Sequence, residues 1–153
     1  DFEAPEYTLH RGYIESTYQV RLFYSRYEPK KEKKATLCIV HGFGEHSGRW
    51  VDIADYFVKQ GFIVHMVDLR GFGHSGGPRF YANIDALHQD IETLLHRSDK
   101  DLPLFLLGHS MGGALTTTLM IKNPNLNITG VILSSPMYDL SPERPLDVKK
   151  KVF

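Results

Sequence analysis

Residues 104–113 read LFLLGHSMGG, an apolar run followed at once by the pattern G-x-S-x-G. The run has the character of a buried parallel strand, and apolar residues recur at helical spacing after Ser110. The serine is therefore predicted to lie in a sharp strand-to-helix turn that strains its backbone. Gly108 and Gly112 fit that turn, because a Cβ at either position would collide with the neighbouring strand or helix. The pattern predicts that Ser110 is an exposed nucleophile, and the alternative is an inert serine in an ordinary glycine turn.

Short strands and helix-length segments alternate along the rest of the chain. Aromatic and β-branched residues predict an antiparallel hairpin near the start, and shorter apolar runs predict buried parallel strands. The predicted strands span residues 7–14, 19–27, 35–40, 62–67, 104–107 and 128–133, and the predicted helices span residues 49–60, 84–97 and 111–123. This order predicts a single domain of the α/β class, with a mostly parallel sheet and helices on both faces.

The composition excludes several classes of protein. The 153 residues carry 18 Lys and Arg against 18 Asp and Glu, so the net charge gives no reason to expect a nucleic-acid partner. The single cysteine, Cys38, lies in an apolar run, which predicts a buried thiol and no disulfide. The histidines lack ligand-like spacing, so neither a metal nor an organic cofactor is expected. No membrane-spanning stretch or signal peptide is visible, which favours a cytoplasmic or peripheral-membrane location.

A second glycine turn, HGFG at residues 41–44, follows the predicted strand 35–40. In hydrolases that carry the G-x-S-x-G turn on such a sheet, the turn after that strand supplies one of two backbone donors for an oxyanion. We predict that the N–H of Phe43 has this role. The N–H of Met111, at the start of the helix after the serine, is predicted to be the other donor. The two glycine turns therefore predict an oxyanion hole beside the nucleophile.

The neighbours of these donors are interpreted as supporting residues. Gly42 and Gly44 let the backbone turn inward and approach a substrate oxygen closely. His41 is interpreted as a structural brace for the loop, with a role as catalytic base as the alternative. His109 is expected to face the core, because adjacent side chains diverge at such a turn.

Residues 71–76, GFGHSG, match the G-x-G-x-x-G fingerprint of dinucleotide sites and follow the predicted strand 62–67. The fingerprint requires a helix that begins within the glycines and presents its N-terminus to pyrophosphate. Here Pro78 and an irregular stretch precede the next predicted helix. We therefore interpret residues 71–76 as a shaped loop and not as a nucleotide site.

Three segments together resemble one known family. They read HGFGEHSGRW at residues 41–50, DLRGFGHS at residues 68–75 and LLGHSMGG at residues 106–113. The chain resembles the monoglyceride lipases and lysophospholipase-like serine hydrolases of the α/β-hydrolase superfamily. The resemblance implies an α/β-hydrolase fold, Ser110 as the nucleophile and the two N–H groups named above as the oxyanion hole. It also implies acyl esters of glycerol or lysolipids as substrates, and peripheral membrane contact through a lid.

The catalytic base that this family needs is not found after the serine. The superfamily orders its triad as Ser, then Asp or Glu, then His, yet all eight histidines precede Ser110. We interpret residues 1–153 as the N-terminal part of such a domain, cut after about the sixth strand, with residues 134–153 as the opening of the lid. Asp139 is a candidate for the triad acid. Because a serine without a base is a weak nucleophile, this chain by itself is expected to be inactive.

Two functions stay open at this point. The first is a serine ester hydrolase of the monoacylglycerol lipase or lysophospholipase type that acts through an acyl-serine intermediate, with peptide or thioester cleavage as related chemistries. The second is a non-catalytic truncated form that keeps the turn and serves as a binding or interaction module. Strand 128–133 is expected to be an unpaired apolar edge that promotes aggregation of the isolated chain.

Overall fold

The computed structural model describes residues 1–138. Its strands are β1 (Phe2–Glu3), β2 (Tyr7–Glu15), β3 (Arg21–Pro29), β4 (Ala35–Val40), β5 (Phe62–Val67), β6 (Leu104–His109) and β7 (Gly130–Ser134). Its α-helices are α1 (Val51–Lys59), α2 (Ile84–Leu95) and α3 (Met111–Lys122), and short 3₁₀ helices span Thr17–Gln19 and Ser47–Trp50. Every predicted strand and helix is present, and the two-residue β1 is an addition to the prediction.

The seven strands of residues 1–138 form one sheet in the order β1-β2-β3-β5-β4-β6-β7. The strands β5, β4, β6 and β7 run parallel, and β1, β2 and β3 extend the sheet in antiparallel fashion. All six residues of β4 are buried. Because β4 is central and covered on both faces, its sequence is apolar except for Thr36 and does not alternate. The parallel strands end at one edge of the sheet, where β6 leads into Ser110.

Helices cover both faces of the sheet. On one face, Ala54 and Val58 of α1 pack with Leu37, Ile39, Val64 and Met66 of the central strands. On the other face, α2 and α3 pack with Cys38, Val40, Val67 and Leu106 through Ile91, Leu94, Leu115 and Leu119. The prediction of an α/β fold with helices on both faces is confirmed. Burial raises the pKa of the Cys38 thiol, so this cysteine is protonated and unreactive.

Several element boundaries differ from the predictions by one or more residues, and two of these differences have a local structural reason. The predicted strand 19–27 begins at Arg21, because Tyr18 and Gln19 both take a φ of 58° at the hairpin tip. The predicted helix 49–60 begins at Val51, because the preceding residues form a 3₁₀ turn that the His46 side chain caps by accepting a hydrogen bond from Gly48 N–H.

The strand β7 lies at the edge of the described sheet and pairs with β6. Its central side chains, Val131, Ile132 and Leu133, are 39%, 42% and 41% exposed. An apolar edge strand with open backbone groups is a template for pairing with another strand. The exposed edge is the one that the sequence indicated, and aggregation of the isolated chain stays a prediction.

Candidate active site

Ser110 occupies the turn between β6 and α3, with a φ of 51° and a ψ of −116°. A serine with positive φ is strained, at a cost of about 1–3 kcal/mol, and such residues cluster at functional sites. Hydrogen bonds hold the turn from both sides. Ser110 N–H donates to Ser134 O at 3.0 Å, and Ser110 C=O accepts from the N–H groups of Ala114 and Met137 at 3.1 and 3.0 Å. These contacts fix the serine at the carboxyl edge of the sheet.

Two glycines let three backbone segments meet next to this turn. A Cβ on Gly108 would lie 2.5 Å from the carbonyl oxygen of Gly112. A Cβ on Gly112 would lie 2.4 Å from the carbonyl oxygen of Val40. The strands β6 and β4 and the helix α3 are therefore in close backbone contact, and a larger side chain would push α3 away from the sheet and move Ser110.

Gly112→Ala is expected to reduce the free energy of unfolding by about 2–3 kcal/mol, because the added methyl group meets backbone oxygens that cannot turn away. Urea unfolding of the complete hydrolase measures this loss, because the isolated chain is expected to aggregate. Gly12→Ala is the matched control, since a Cβ on Gly12 in β2 meets nothing within 4 Å. Its unfolding free energy is expected to change by less than about 0.5 kcal/mol. Equal stability of the two variants would contradict the close contact between α3 and β4.

The loop that follows β4 lies against the serine. A Cβ on Gly42 would be 3.1 Å from the Cβ of Ser110. The Glu45 carboxylate closes this loop by accepting a hydrogen bond from Gly42 N–H at 2.9 Å. Burial alone raises the pKa of Glu45, but the hydrogen bond from Gly42 and the field of His109 outweigh burial and lower that pKa below its ordinary value. An ionised Glu45 therefore holds Gly42 against the serine.

Two backbone N–H groups lie near Ser110 and have no backbone acceptor within residues 1–138. Met111 is the first residue of α3, and the first N–H groups of a helix have no intrahelical acceptor. Phe43 lies between Gly42 and Gly44, which has a φ of 72°. Within residues 1–138, Phe43 N–H makes no backbone hydrogen bond. Phe43 adjoins the glycine that lies against the serine, and Met111 adjoins the serine itself, so both N–H groups lie close to Ser110.

His41 is 1% exposed, and backbone groups occupy both nitrogens of its ring. Leu69 N–H donates to Nε2 at 2.9 Å, and Nδ1 lies 2.8 Å from Gly42 O. Because Nε2 accepts a hydrogen bond, Nδ1 carries the proton and donates it to Gly42 O. Burial lowers the pKa of His41 and keeps the ring neutral. His41 therefore ties the end of β4 to the segment after β5 and has no free nitrogen for the serine.

His109, the residue before the serine, is half-buried. Its Nδ1 lies 3.0 Å from Ser134 Oγ, and its ring centroid lies 5.5 Å from that of Trp50. It packs on the face of the sheet that carries α1. Among residues 1–138, no histidine side chain forms a hydrogen bond with Ser110.

Asp68, at the end of β5, is a positioning residue that the sequence analysis did not single out. It is fully buried, and its two carboxylate oxygens accept hydrogen bonds from Ser47 N–H at 2.7 Å and from His74 N–H at 2.8 Å. Its carbonyl oxygen accepts a hydrogen bond from Ser75 Oγ. Asp68 thus joins the loop after β4 to the loop after β5. An acidic residue directly after a buried strand and before a glycine-rich loop is the signal that would have revealed it.

The glycine run of residues 71–76 packs around this carboxylate. A Cβ on Gly73 would lie 2.1 Å from Asp68 Oδ2, and one on Gly71 would lie 2.4 Å from Pro78 O. The helix α2 begins only at Ile84, so its N-terminus does not emerge from the glycines. The glycines allow close packing within a shaped loop.

Some of the predicted features fall on residues that the structure does not describe. Asp139 and the predicted lid residues after Tyr138 lie outside the described residues. Within residues 1–138, no group of three or more His, Cys, Asp or Glu side chains is arranged to hold a metal ion. None of the helices in that range combines the length and the apolar composition that crossing a bilayer requires.

A mostly parallel sheet between helices, with a strained serine in the turn from a strand to a helix, defines an α/β-hydrolase. The chain belongs to the hydrolase family described as "Serine aminopeptidase, S33", whose model matches residues 31–152. The family covers most of the chain, including the glycine turn after β4 and the serine turn after β6.

Several relatives carry the names of lipid hydrolases. The human monoglyceride lipase is 35% identical over 128 residues, which cover 80% of this chain and 41% of that protein. A Bacillus subtilis phospholipase, YtpA, is 37% identical over 110 residues, which cover 69% of this chain and 42% of the phospholipase. The crystal structure of a Paleococcus ferrophilus monoacylglycerol lipase matches with a TM-score of 0.68 and 29% identity, covering 82% of this chain and 47% of that one. The resemblance to monoglyceride lipases is confirmed, and the chain spans about two-fifths of the length of these curated relatives.

Proposed function

We propose that residues 1–153 carry the nucleophile and the oxyanion donors of a serine ester hydrolase that cleaves monoacylglycerols or lysophospholipids. The observation that carries this proposal is the strained Ser110, held at the carboxyl edge of the sheet next to Gly42. An inert serine at a helix start has no need of a positive φ, whereas a nucleophile gains exposure from it.

The proposed reaction passes through an acyl-serine. The Oγ atom of Ser110 attacks the ester carbonyl carbon while a base takes the hydroxyl proton. The carbonyl oxygen becomes an oxyanion that accepts hydrogen bonds from Phe43 N–H and Met111 N–H. The C–O bond to the alcohol then breaks, and the departing oxygen receives the proton from the base. Water attacks the acyl carbon, the base takes a proton from the water, and the fatty acid leaves as the proton returns to Ser110.

The base is proposed to come from outside residues 1–138. In that range, His41 has both ring nitrogens engaged and His109 is bonded to Ser134. The sequence holds no histidine after Ser110. We therefore propose that a complete hydrolase joins these residues to a segment that carries the histidine and its carboxylate partner, and that the 153-residue chain alone is inactive. The greater length of the curated relatives supports this proposal.

The proposed substrate class is a lipid ester. The names of the relatives include monoglyceride lipase and phospholipase, while the family description names an aminopeptidase. The half-exposed ring of Phe43 provides an apolar surface beside the proposed oxyanion donors. An apolar surface favours a fatty acyl group over the charged amino group that an aminopeptidase recognises.

A comparison of substrates tests the proposal. With the complete hydrolase, kcat/KM for monooleoylglycerol or lysophosphatidylcholine is expected to exceed that for leucine p-nitroanilide at least tenfold, which corresponds to about 1.4 kcal/mol in the barrier. Faster cleavage of the anilide would replace the lipase proposal with an aminopeptidase. If the enzyme turned over none of the three and a fluorophosphonate failed to label it, the non-catalytic binding module would be the better reading.

A further inference from the structure

Three phenylalanine rings form a cluster beside the proposed oxyanion loop. The ring centroids of Phe43 and Phe72 are 5.5 Å apart, those of Phe43 and Phe80 are 5.8 Å apart, and those of Phe72 and Phe80 are 5.5 Å apart. Phe72 is buried, whereas Phe43 and Phe80 are half-exposed. Two of the three contacts are close to perpendicular, the edge-to-face geometry that aromatic pairs favour.

Phe43 lies in a turn that is closed only at its two ends: Glu45 N–H donates to Gly42 O at 3.2 Å, and the Glu45 carboxylate accepts from Gly42 N–H at 2.9 Å. Glycines flank Phe43 on both sides, and its N–H makes no backbone hydrogen bond within residues 1–138. Glycine leaves the backbone free to take many conformations, so the direction of the Phe43 N–H depends on what holds its side chain. Within that turn, the neighbouring rings are the contacts that hold the Phe43 side chain.

Phe72 anchors the cluster to rigid parts of the fold. Its ring packs edge-on against that of His41, at 5.5 Å between centroids, and its N–H donates to Leu69 O at 3.0 Å. His41 is itself held by backbone groups at both nitrogens. The cluster therefore connects Phe43 to the ends of β4 and β5.

Phe80 completes the cluster at a cost. It has a φ of 56°, a left-handed conformation that bulky residues rarely adopt. Its N–H donates to Gly71 O at 3.2 Å, and the carbonyl oxygen of Pro78 packs so closely on Gly71 that no Cβ would fit there. A glycine or asparagine would meet the backbone requirement at position 80 more easily. Phe80 therefore combines an unfavourable backbone conformation with an aromatic ring that contacts Phe43 and Phe72.

We propose that Phe80 is a positioning residue for catalysis: together with Phe72 it fixes the Phe43 ring and thereby aims the Phe43 N–H at the oxyanion. This inference rests on the proposed function. Oxyanion donors act only when they are preorganised, and a displacement of about 1 Å can cost about 100-fold in rate.

Phe80→Ala in the complete hydrolase tests the inference with p-nitrophenyl acetate, whose acyl group is too short to need an extended apolar surface. We expect kcat to fall roughly 10- to 100-fold while KM changes less than about threefold. Phe80→Tyr keeps the ring and should restore most of kcat. Phe80→Gly removes the ring and also relieves the backbone strain, so it should be as slow as Phe80→Ala even though its fold is not strained further.

Tyr81→Ala is the matched control, because the neighbouring Tyr81 is 75% exposed and makes no ring contact within the described residues. Its kcat should equal that of the wild type. An unchanged kcat in Phe80→Ala, or a loss seen with long-chain esters but not with the acetate, would overturn the positioning role while leaving the proposed function intact. A wild-type enzyme that hydrolyses neither ester and resists fluorophosphonate labelling would overturn the proposed function and this inference together.

Discussion

Ser110→Ala is expected to lower kcat for ester hydrolysis by the complete hydrolase by about 10⁴-fold or more. Alanine would remove the oxygen that we propose to attack the ester, but it would keep the backbone N–H groups of Phe43 and Met111 in place. The rate that remains would come from those donors and from substrate binding alone. Steady-state kinetics on monooleoylglycerol measures the loss, and labelling by a fluorophosphonate should disappear in the same variant.

Ser98→Ala provides the matched control for this experiment. Ser98 Oγ donates to Leu95 O at the end of α2, and this serine takes no part in the turn after β6. Its kcat should equal that of the wild type. Activity that survives Ser110→Ala would show that the nucleophile lies elsewhere. If Ser110 were labelled in the 153-residue chain alone, a base within that chain would have to activate it, against our proposal.

Asp90→Ala is expected to reduce the free energy of unfolding by about 3–5 kcal/mol. Asp90 is fully buried in α2 and forms a two-pronged ion pair with Arg70, with distances of 2.9 Å from Nε and 2.6 Å from Nη2. It also accepts hydrogen bonds from Arg70 N–H at 3.0 Å and from Ser16 Oγ at 2.7 Å. Alanine would leave a buried guanidinium without its counter-charge, which is far costlier than losing a surface ion pair.

Asp85→Ala separates this effect from a general loss of a carboxylate in α2. Asp85 pairs with Lys122 at 2.7 Å, but its side chain is 77% exposed. Exposed pairs contribute little, because water and salt screen them. Urea unfolding of the complete hydrolase should show a large loss of stability for Asp90→Ala and a small one for Asp85→Ala. A similar change in both variants would mean that the Arg70 side chain reaches water when Asp90 is removed.

Local sequence patterns determined most of the fold and the identity of the candidate nucleophile. The alternation of apolar strands with helix-length segments predicted the strands and helices within a few residues, because burial on one or both faces imposes its period directly on the sequence. The turn at Ser110 was predicted on separate grounds, because a strand-to-helix turn of this kind needs glycines at fixed spacing from the serine. The predicted start of the strand at residue 19 was wrong because Tyr18 and Gln19, at the hairpin tip, have a positive φ.

The tertiary structure alone decided which residues distant in sequence meet in the folded chain. Asp90 meets Arg70 and Ser16 across 20 and 74 residues of sequence, and Phe80 meets Phe43 across the whole of α1 and β5. Such pairs leave no periodic signal, because the sequence between them says nothing about which loops the sheet brings together. These contacts depend on the order of strands in the sheet, in which β5 lies between β3 and β4. Local sequence patterns thus identified the candidate nucleophile. Contacts such as that between Phe80 and Phe43 depended on the tertiary structure, because only the folded sheet brings their loops together.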